Sequence, residues 1–587
     1  MLNPVLPVIP ASLGLAAAAL LAGCGGASAA GTPTNASALP GASSNPRVLA
    51  EQVSEAGPGA TALPAELTEA SAVRFLNQAT FGSTESETAA VQRQWRWGWL
   101  QAQYAQPNTR THWQRVTADQ AALLAEEPAR DPNNLPRNIW DWSIWEAYLS
   151  APDQLRKRVG YALSQIMVVS MDGLSAGGTN SVRLAAAYLD VLEAHAFGNF
   201  RDLLEAVSLS PAMGYYLSHR GNRKAEYPNN DRTQPPTRVP DENYAREIMQ
   251  LFSIGLYELN SDGTLRLEGG LPVETYGEDD VRGLARVFTG WDWAARTDPD
   301  WPRKPMQHIA SRHSPEEKRF LGTTIPAGTD GPTSLRIALD ALFNHPNTGP
   351  FIGKQLIQRL VTSNPSPAYV SRVSAAFADN GQGVRGDLRA VIDAVLRDSE
   401  AMAPSNITQP ARSWGKLREP VLRYTTFARN FGATFSGELW RIGDLSDPAA
   451  ALGQSPLHSP SVFNFYRPGY VPPNTSIARD SLVAPEFQIT TDTSLPGYVN
   501  FMQRQLTAPN GGLTLNYDAE LALAADPPAL VARLDRRLTN GAMGAATRDE
   551  IVSTVNALPS GTAAQNLARV RTAILMTVAS PEYIIQK

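Results

Sequence analysis

Asn243, Arg246 and Glu247 stand at i, i+3 and i+4 in a stretch of helical apolar spacing, so they share one helix face. Asn243 and Glu247 offer two oxygens to a ligand or a metal ion. Arg246 offers a planar fork that clamps a carboxylate or phosphate. The competing reading is architectural: Arg246 as a buried residue paired with a carboxylate of a neighbouring helix. His195 follows Asp190 and Glu193 in another helical stretch. If the two helices pair, His195, Asn243 and Glu247 form a set compatible with a divalent metal, although the compact His-Glu-x-x-His spacing is missing. A histidine on a helix is otherwise an ordinary hydrogen-bonded core residue. His219, beside Tyr215 and Tyr216, is a candidate for a ligand-facing rim. His308 and His313 lie five apart in a loop and can pair in space.

The elements that must position these groups are mainly helical. Apolar periodicity predicts helices near 68–79, 136–150, 152–170, 181–197, 200–209, 241–256, 278–288, 333–345, 349–361, 366–379, 385–398, 412–431, 477–505 and 563–579. Thr84 with Glu87, and Thr547 with Glu550, have the spacing of capping boxes. Gly82 stops the first helix, and Pro152 suits a first turn, where its missing donor is not needed. Asp262-Gly263 and Gly269-Gly270 predict a small hairpin within 260–277. Residues 220–240, 292–330 and 456–473 are rich in proline and read as long loops. With 44 glycines and 45 prolines in 587 residues, long connections between helices are expected. The fold class is therefore mainly α, a large multi-helical body with few short strands.

The first 24 residues carry a different signal. Leu13 to Ala22 is an uncharged apolar run, long enough for a signal-peptide core and too short to span a bilayer. It ends in Leu21-Ala22-Gly23-Cys24. Small residues there let the chain lie extended in a peptidase groove, and the thiol of Cys24 can take a diacylglycerol. This tetrapeptide resembles the lipobox of bacterial lipoproteins. No Lys or Arg precedes Arg47, so the usual positive leader charge is missing. The organisation expected is a signal peptide at 1–23, a lipidated Cys24 opening a Gly/Ala/Ser/Pro-rich tether to 63, and a body at 64–587. Gly25, with no acid after the cysteine, is the pattern of an outer-membrane address facing the periplasm or the exterior.

Composition excludes several classes. Cys24 is the single cysteine, so neither an internal disulfide nor a cysteine-rich metal site can form. The formal charge is −5 with no long basic run, which argues against nucleic acid as a partner. No Gly-x-Ser-x-Gly elbow and no Walker A sequence is present. Trp291, Trp293, Trp301, Tyr466 and Tyr470 recur in loops, where exposed rings stack on sugars or anchor a protein and buried ones are simply core.

A series of motifs then runs in order along the chain: Arg74-Phe75-Leu76-Asn77-Gln78-Ala79-Thr80-Phe81-Gly82; Arg158-Val159-Gly160-Tyr161-Ala162-Leu163-Ser164-Gln165; His195-Ala196-Phe197-Gly198-Asn199-Phe200-Arg201-Asp202-Leu203-Leu204; and Pro211-Ala212-Met213. Glu242-Asn243-Tyr244-Ala245-Arg246-Glu247-Ile248-Met249-Gln250-Leu251-Phe252-Ser253-Ile254-Gly255 is the most specific. Asp280-Val281-Arg282-Gly283-Leu284-Ala285-Arg286-Val287-Phe288-Thr289-Gly290-Trp291, His345-Pro346 and Lys416-Leu417-Arg418-Glu419-Pro420 follow. Over roughly 66–587 the chain resembles the bacterial proteins grouped as the domain of unknown function 1800 (DUF1800). The resemblance implies an exported protein. It also implies a partner from a second exported family, of unknown function 1501 (DUF1501), which resembles alkaline phosphatases and sulfatases. It carries no agreed activity. One departure stands out: Ser314, in His313-Ser314-Pro315-Glu316-Glu317-Lys318, occupies the place where the family tends to have an aspartate.

Two functions follow as expectations. The first is a lipid-anchored envelope protein that binds or assembles with an exported partner. The second is a metal-assisted hydrolase of an envelope polymer, built on His195, Asn243, Arg246 and Glu247.

Overall fold

Thr68 begins the described helical body by accepting the Ser71 amide at the N-terminus of helix α1 (Glu69–Ala79). The computed structural model describes residues 67–108, 110–175, 179–408 and 411–587. The expected signal peptide, the lipidation site Cys24 and the tether to residue 63 lie outside them.

Besides one-turn helices, the chain continues through α2 (Glu85–Ala105), α3 (His112–Glu126), α4 (Asn138–Ser150), α5 (Gln154–Ser164), α6 (Thr179–Ala194), α7 (Phe200–Ser208), α8 (Pro211–Tyr216), α9 (Asn243–Gln250) and α10 (Glu278–Val287). The second half adds α11 (Gly331–Asn344), α12 (Thr348–Leu360), α13 (Pro367–Ala378), α14 (Leu388–Leu396), α15 (Pro420–Asn430), α16 (Ser494–Thr507), α17 (Pro527–Leu538), α18 (Ala545–Ala557) and α19 (Ala563–Ala579). Among the described residues, strands are two or three residues long and join in antiparallel pairs, among them β1 (Leu267–Glu268) with β2 (Leu271–Pro272), β3 (Trp291–Asp292) with β4 (Gln307–His308), and β5 (Lys318–Phe320) with β6 (Thr323–Ile325). Near the C-terminus Lys416–Leu417 pairs with Ile585–Gln586. The body is mainly α, as the periodicity implied. One cluster of buried apolar side chains runs from Leu67 to Tyr583. No helix among the described residues is long and apolar enough to cross a membrane.

Several boundaries differ from the sequence reading. The helix expected over 152–170 ends at Ser164, and Gln165 turns its carboxamide onto Glu419. The stretch 477–505 breaks into a turn of helix at Ser476–Arg479, a 3-10 turn opened by Pro485 (Pro485–Ile489) and α16, whose first turn accommodates Pro496. Thr547 caps no helix: α18 starts at Ala545 and the Thr547 hydroxyl donates to Glu582. Thr84 does cap α2, accepting the Glu87 amide at 3.2 Å. Helices α3 and α17 were not foreseen. On α3 the buried face carries His112, Arg115 and Asp119 beside Val116 and Leu123, which hides the apolar stripe, whereas α17 buries a plain stripe of Leu530, Val531, Leu534 and Leu538.

A helix and a strand approach unusually closely at α10. A Cβ on Gly283 would lie 1.7 Å from the Arg319 carbonyl oxygen, so strand β5 rests directly on the helix backbone. Asp280 fixes the contact by accepting the Leu321 amide at 2.7 Å.

Candidate functional site

Helix α9 carries three of the four expected site residues. Asp241 starts it by accepting the Asn243 amide at 2.8 Å. Tyr244, Ala245, Ile248 and Met249 are fully buried and set its inner face. The polar residues divide between surroundings. Asn243 is exposed and its amide donates to the Ser218 hydroxyl at 3.4 Å. Arg246 is 36% exposed, and its fork reaches both carboxylate oxygens of Glu278 on α10, at 3.1 and 3.3 Å, with Glu242 at 3.5 Å. The expected buried arginine is thus a surface one. The helix stops at Gln250, and the acidic first turn of α10 crosses its outer side. An exposed pair contributes little, because water already solvates both charges. Arg246→Ala should therefore move the melting temperature by no more than about 3 °C; a loss of folded protein in thermal unfolding would contradict this assignment.

Glu247 is the buried one, 8% exposed, and its Oε2 has no hydrogen-bond partner. Burial raises its carboxyl pKa against the pull of Arg246. Two tyrosines share its surroundings. Burial, then the nearby carboxylates of Asp172 and Glu247, push the Tyr216 hydroxyl up to about 12. Burial likewise pushes Tyr276 up to about 12, with Arg246 opposing and Glu247 adding to it. Glu247 thus presents a buried carboxyl with one unpartnered oxygen.

His195 is engaged elsewhere. Its Nδ1 pairs with the Val191 carbonyl at 2.9 Å. The turn that follows is tied to 385–388 by the Phe200 and Leu388 amides and the Asn199 side chain. Among the described residues, none of its hydrogen bonds, ion pairs or ring contacts is with α9. With side chains where they stand, no three His, Cys, Asp or Glu groups among the described residues converge to hold a metal ion.

The other histidines sort by burial. His219, expected at a rim, is buried: its ring stacks on Tyr244 at 3.9 Å, and its Nε2 meets the Ser208 carbonyl at 2.8 Å. Burial pushes its pKa down to about 4, so it is neutral. His308 and His313 do pair, with ring centroids 5.2 Å apart, and Trp291, Trp293 and Trp301 are core. The Ser314 amide donates to the Thr289 hydroxyl, while the buried Lys318 ammonium donates to the Ser314 and Glu316 carbonyls at 3.1 and 3.2 Å.

The groups that sequence reasoning missed surround His458, in the loop after residue 456. Its Nε2 lies 2.9 Å from Oδ1 of Asp141, a buried residue on α4. Its Nδ1 lies 3.7 Å from Asp172 and 3.6 Å from Asp444. Desolvation would lower the imidazole pKa, but the three carboxylates raise it overall. No local pattern signals this cluster, since Asp141 and His458 are 317 residues apart.

A second surface lies beyond α9, where 256–275 folds into a ribbon. Asn347 pins its base, donating to the carbonyls of Ile254 and Tyr257 at 2.9 and 2.8 Å and accepting the Leu259 amide at 2.9 Å. Gly269 and Gly270 close the hairpin with φ of 59° and 84°, the left-handed pair a two-residue turn requires. Leu267 faces Pro272, Leu259 faces Leu265 and Tyr257 faces Glu274, so Tyr257, Leu259, Leu265, Leu267 and Pro272 line one face with Glu274 at its edge. Tyr257, Leu265 and Leu267 are exposed there, Leu267 by 55%.

Comparison with curated proteins and with solved structures finds no match. The model of the family described as protein of unknown function (DUF1800) matches residues 74–585, nearly the whole described body. The chain belongs to the DUF1800 family.

Proposed function

We propose that this protein is a lipid-anchored protein of the cell envelope whose body binds an exported protein partner. The observation that carries the reading is the apolar face of the 256–275 ribbon. Isolated exposed leucines need no explanation, but a row of them on a pinned, preformed ribbon is a docking surface. Its rim favours a protein over a bilayer. Glu274 borders the apolar row opposite Tyr257, Glu258 and Glu268 project from the ribbon's other face, and Arg266, the one cation of residues 256–275, is already paired with Glu258 at 2.6 Å and Glu268 at 3.0 Å. Such a rim is repelled by anionic headgroups and suits a partner with a basic border. The anchor rests on the Leu21-Ala22-Gly23-Cys24 motif, with the tether giving the body reach from the membrane.

Co-purification of the tagged protein from its membranes tests both halves. Cys24→Ser should leave the chain unprocessed or soluble after a high-salt wash. Leu265→Ser with Leu267→Ser should keep the melting temperature yet lose the partner. Each truncation removes about 1.5 kcal/mol or more of apolar burial, so the pair weakens docking about 100-fold. A double variant that recovers the same partner in the same yield would remove the ribbon from the function.

A further inference from the structure

His458 joins three parts of the chain. Its Nε2 lies 2.9 Å from Asp141 on α4, and its Nδ1 lies 3.7 Å from Asp172, in the turn after α5, and 3.6 Å from Asp444. The ring and Asp141 are buried, whereas Asp172 and Asp444 are about half exposed. The same parts are also tied by bonds that do not titrate. Trp145 on α4 donates its indole N–H to the Gly443 carbonyl at 3.1 Å, and the Met171 amide donates to the Leu457 carbonyl at 2.7 Å. Leu457 has a φ of 56°, a left-handed conformation that leucine keeps only where its surroundings hold it. Loop 443–459 buries Leu445, Leu452 and Leu457, so its release would bring apolar side chains out of the core.

We infer that His458 is a proton-operated clasp: as an imidazolium it holds loop 443–459 against α4 and the 170–174 turn, and loss of its proton releases the loop. The charges set this direction. Asp141, Asp172 and Asp444 face the ring from three different elements, and Arg137, about half exposed, pairs with Asp172 at 3.2 Å. A neutral ring leaves these carboxylates to repel one another. A protonated ring lies between them and attracts all three. An imidazolium donates from both nitrogens, so the buried Nδ1, which has no hydrogen-bond partner, gains a proton to direct at Asp172 and Asp444. Burial by itself would lower the imidazole pKa, but Asp141 first, then Asp444 and Asp172, raise it overall above the ordinary 6.5. Burial pushes the Asp141 carboxyl up as well, against the pull of His458. Both groups thus hold protons more tightly in the folded protein than in the unfolded chain. The clasp is at full strength below the ordinary histidine value of 6.5 and is lost as pH rises through the raised folded value. Nothing in the clasp involves the 256–275 ribbon, so it stands or falls independently of the partner reading.

The test is hydrogen exchange of the full-length protein, read by mass spectrometry at about pH 6 and about pH 9, with labelling times scaled to the intrinsic rate. In wild type, protection of peptides covering 170–174 and 443–459 should fall about 10-fold or more between the two, as a pKa shift of about one unit requires, while α19 is unaffected. His458→Gln should leave the loop weakly protected at both pH values, with no step between them. Asp172→Asn with Asp444→Asn changes only half-exposed groups, so the fold is kept while the pull on the proton weakens. In that double variant the step should move to lower pH, and spectra of isotope-labelled histidine should show the pKa of His458 falling with it. Equal protection of the loop at both pH values in wild type overturns the proposal. So does a pH step that stays where it was in the double asparagine variant, or that survives in His458→Gln.

Discussion

Replacing Glu193 by alanine is expected to cost the protein much of its folded population. Glu193 is on α6, fully buried, and joins His112 Nε2 at 2.9 Å to Lys157 Nζ at 2.5 Å, both also fully buried. Burial alone would raise its pKa; Lys157 and then His112 instead hold the carboxyl down at about 2. Gly160 makes room for this, since a Cβ there would lie 2.7 Å from Glu193 Cγ. With Glu193 gone, Lys157 keeps the Asn108 side-chain oxygen at 3.4 Å and the Asp153 carboxylate at 3.7 Å, and its ammonium remains out of water. Removing one member of a buried ion pair costs roughly 3–5 kcal/mol, because the survivor is left desolvated. That is a large part of a usual total of about 5–15 kcal/mol. The measurement is thermal unfolding and soluble yield, with a fall of about 3–5 °C expected for a body of this size. Glu193→Gln should fall in between, retaining hydrogen bonds without charge. An alanine variant that melts like wild type would mean the network contributes nothing.

Gly283→Ala should be nearly as damaging, although alanine normally favours a helix by about 1 kcal/mol over glycine. The added methyl has nowhere to go. The obstacle, the Arg319 carbonyl at 1.7 Å, is backbone held by its pairing with Thr324, so no side chain can rotate away. Strand β5 must lift off α10, straining the Asp280–Leu321 bond and the 3.0 Å contact of Arg286 with the Glu317 carbonyl. Overpacking of this kind costs about 1–3 kcal/mol where neighbours can shift and more where they cannot. Gly437→Ala, with nothing within 4 Å of the new methyl, is the control and should be neutral. Differential scanning calorimetry of the two variants decides the matter, and equal melting temperatures would show that β5 yields freely.

Much of the architecture was legible along the chain, because helices and tight turns are governed by neighbours in sequence. The apolar spacing located most helices, Thr84 marked the start of α2, and Gly269-Gly270 marked a turn that needs two left-handed residues. The motifs marked the family, and Gly160 and Gly283 within them prove to be places where a helix meets a neighbour too closely for any side chain.

The candidate sites were much less legible, because charge and burial depend on what folds against a residue. Arg246 and Glu247 are adjacent on α9, and nothing local shows that the carboxylate is buried while the guanidinium reaches the surface. That was decided by the acidic turn of α10 arriving on one side. His195 looked like the histidine most suited to chemistry, yet its ring is occupied by a carbonyl of its own helix. His458 sat unremarked in a proline-rich loop, and its environment comes from α4, the turn at Asp172 and the loop at Asp444. Sequence alone determined the mainly helical class and tight turns such as that at Gly269-Gly270, since those follow from periodicity and backbone conformation. Only the tertiary structure decided which polar groups are desolvated, paired or left facing one another, because those energies are set by long-range neighbours that no local spacing encodes.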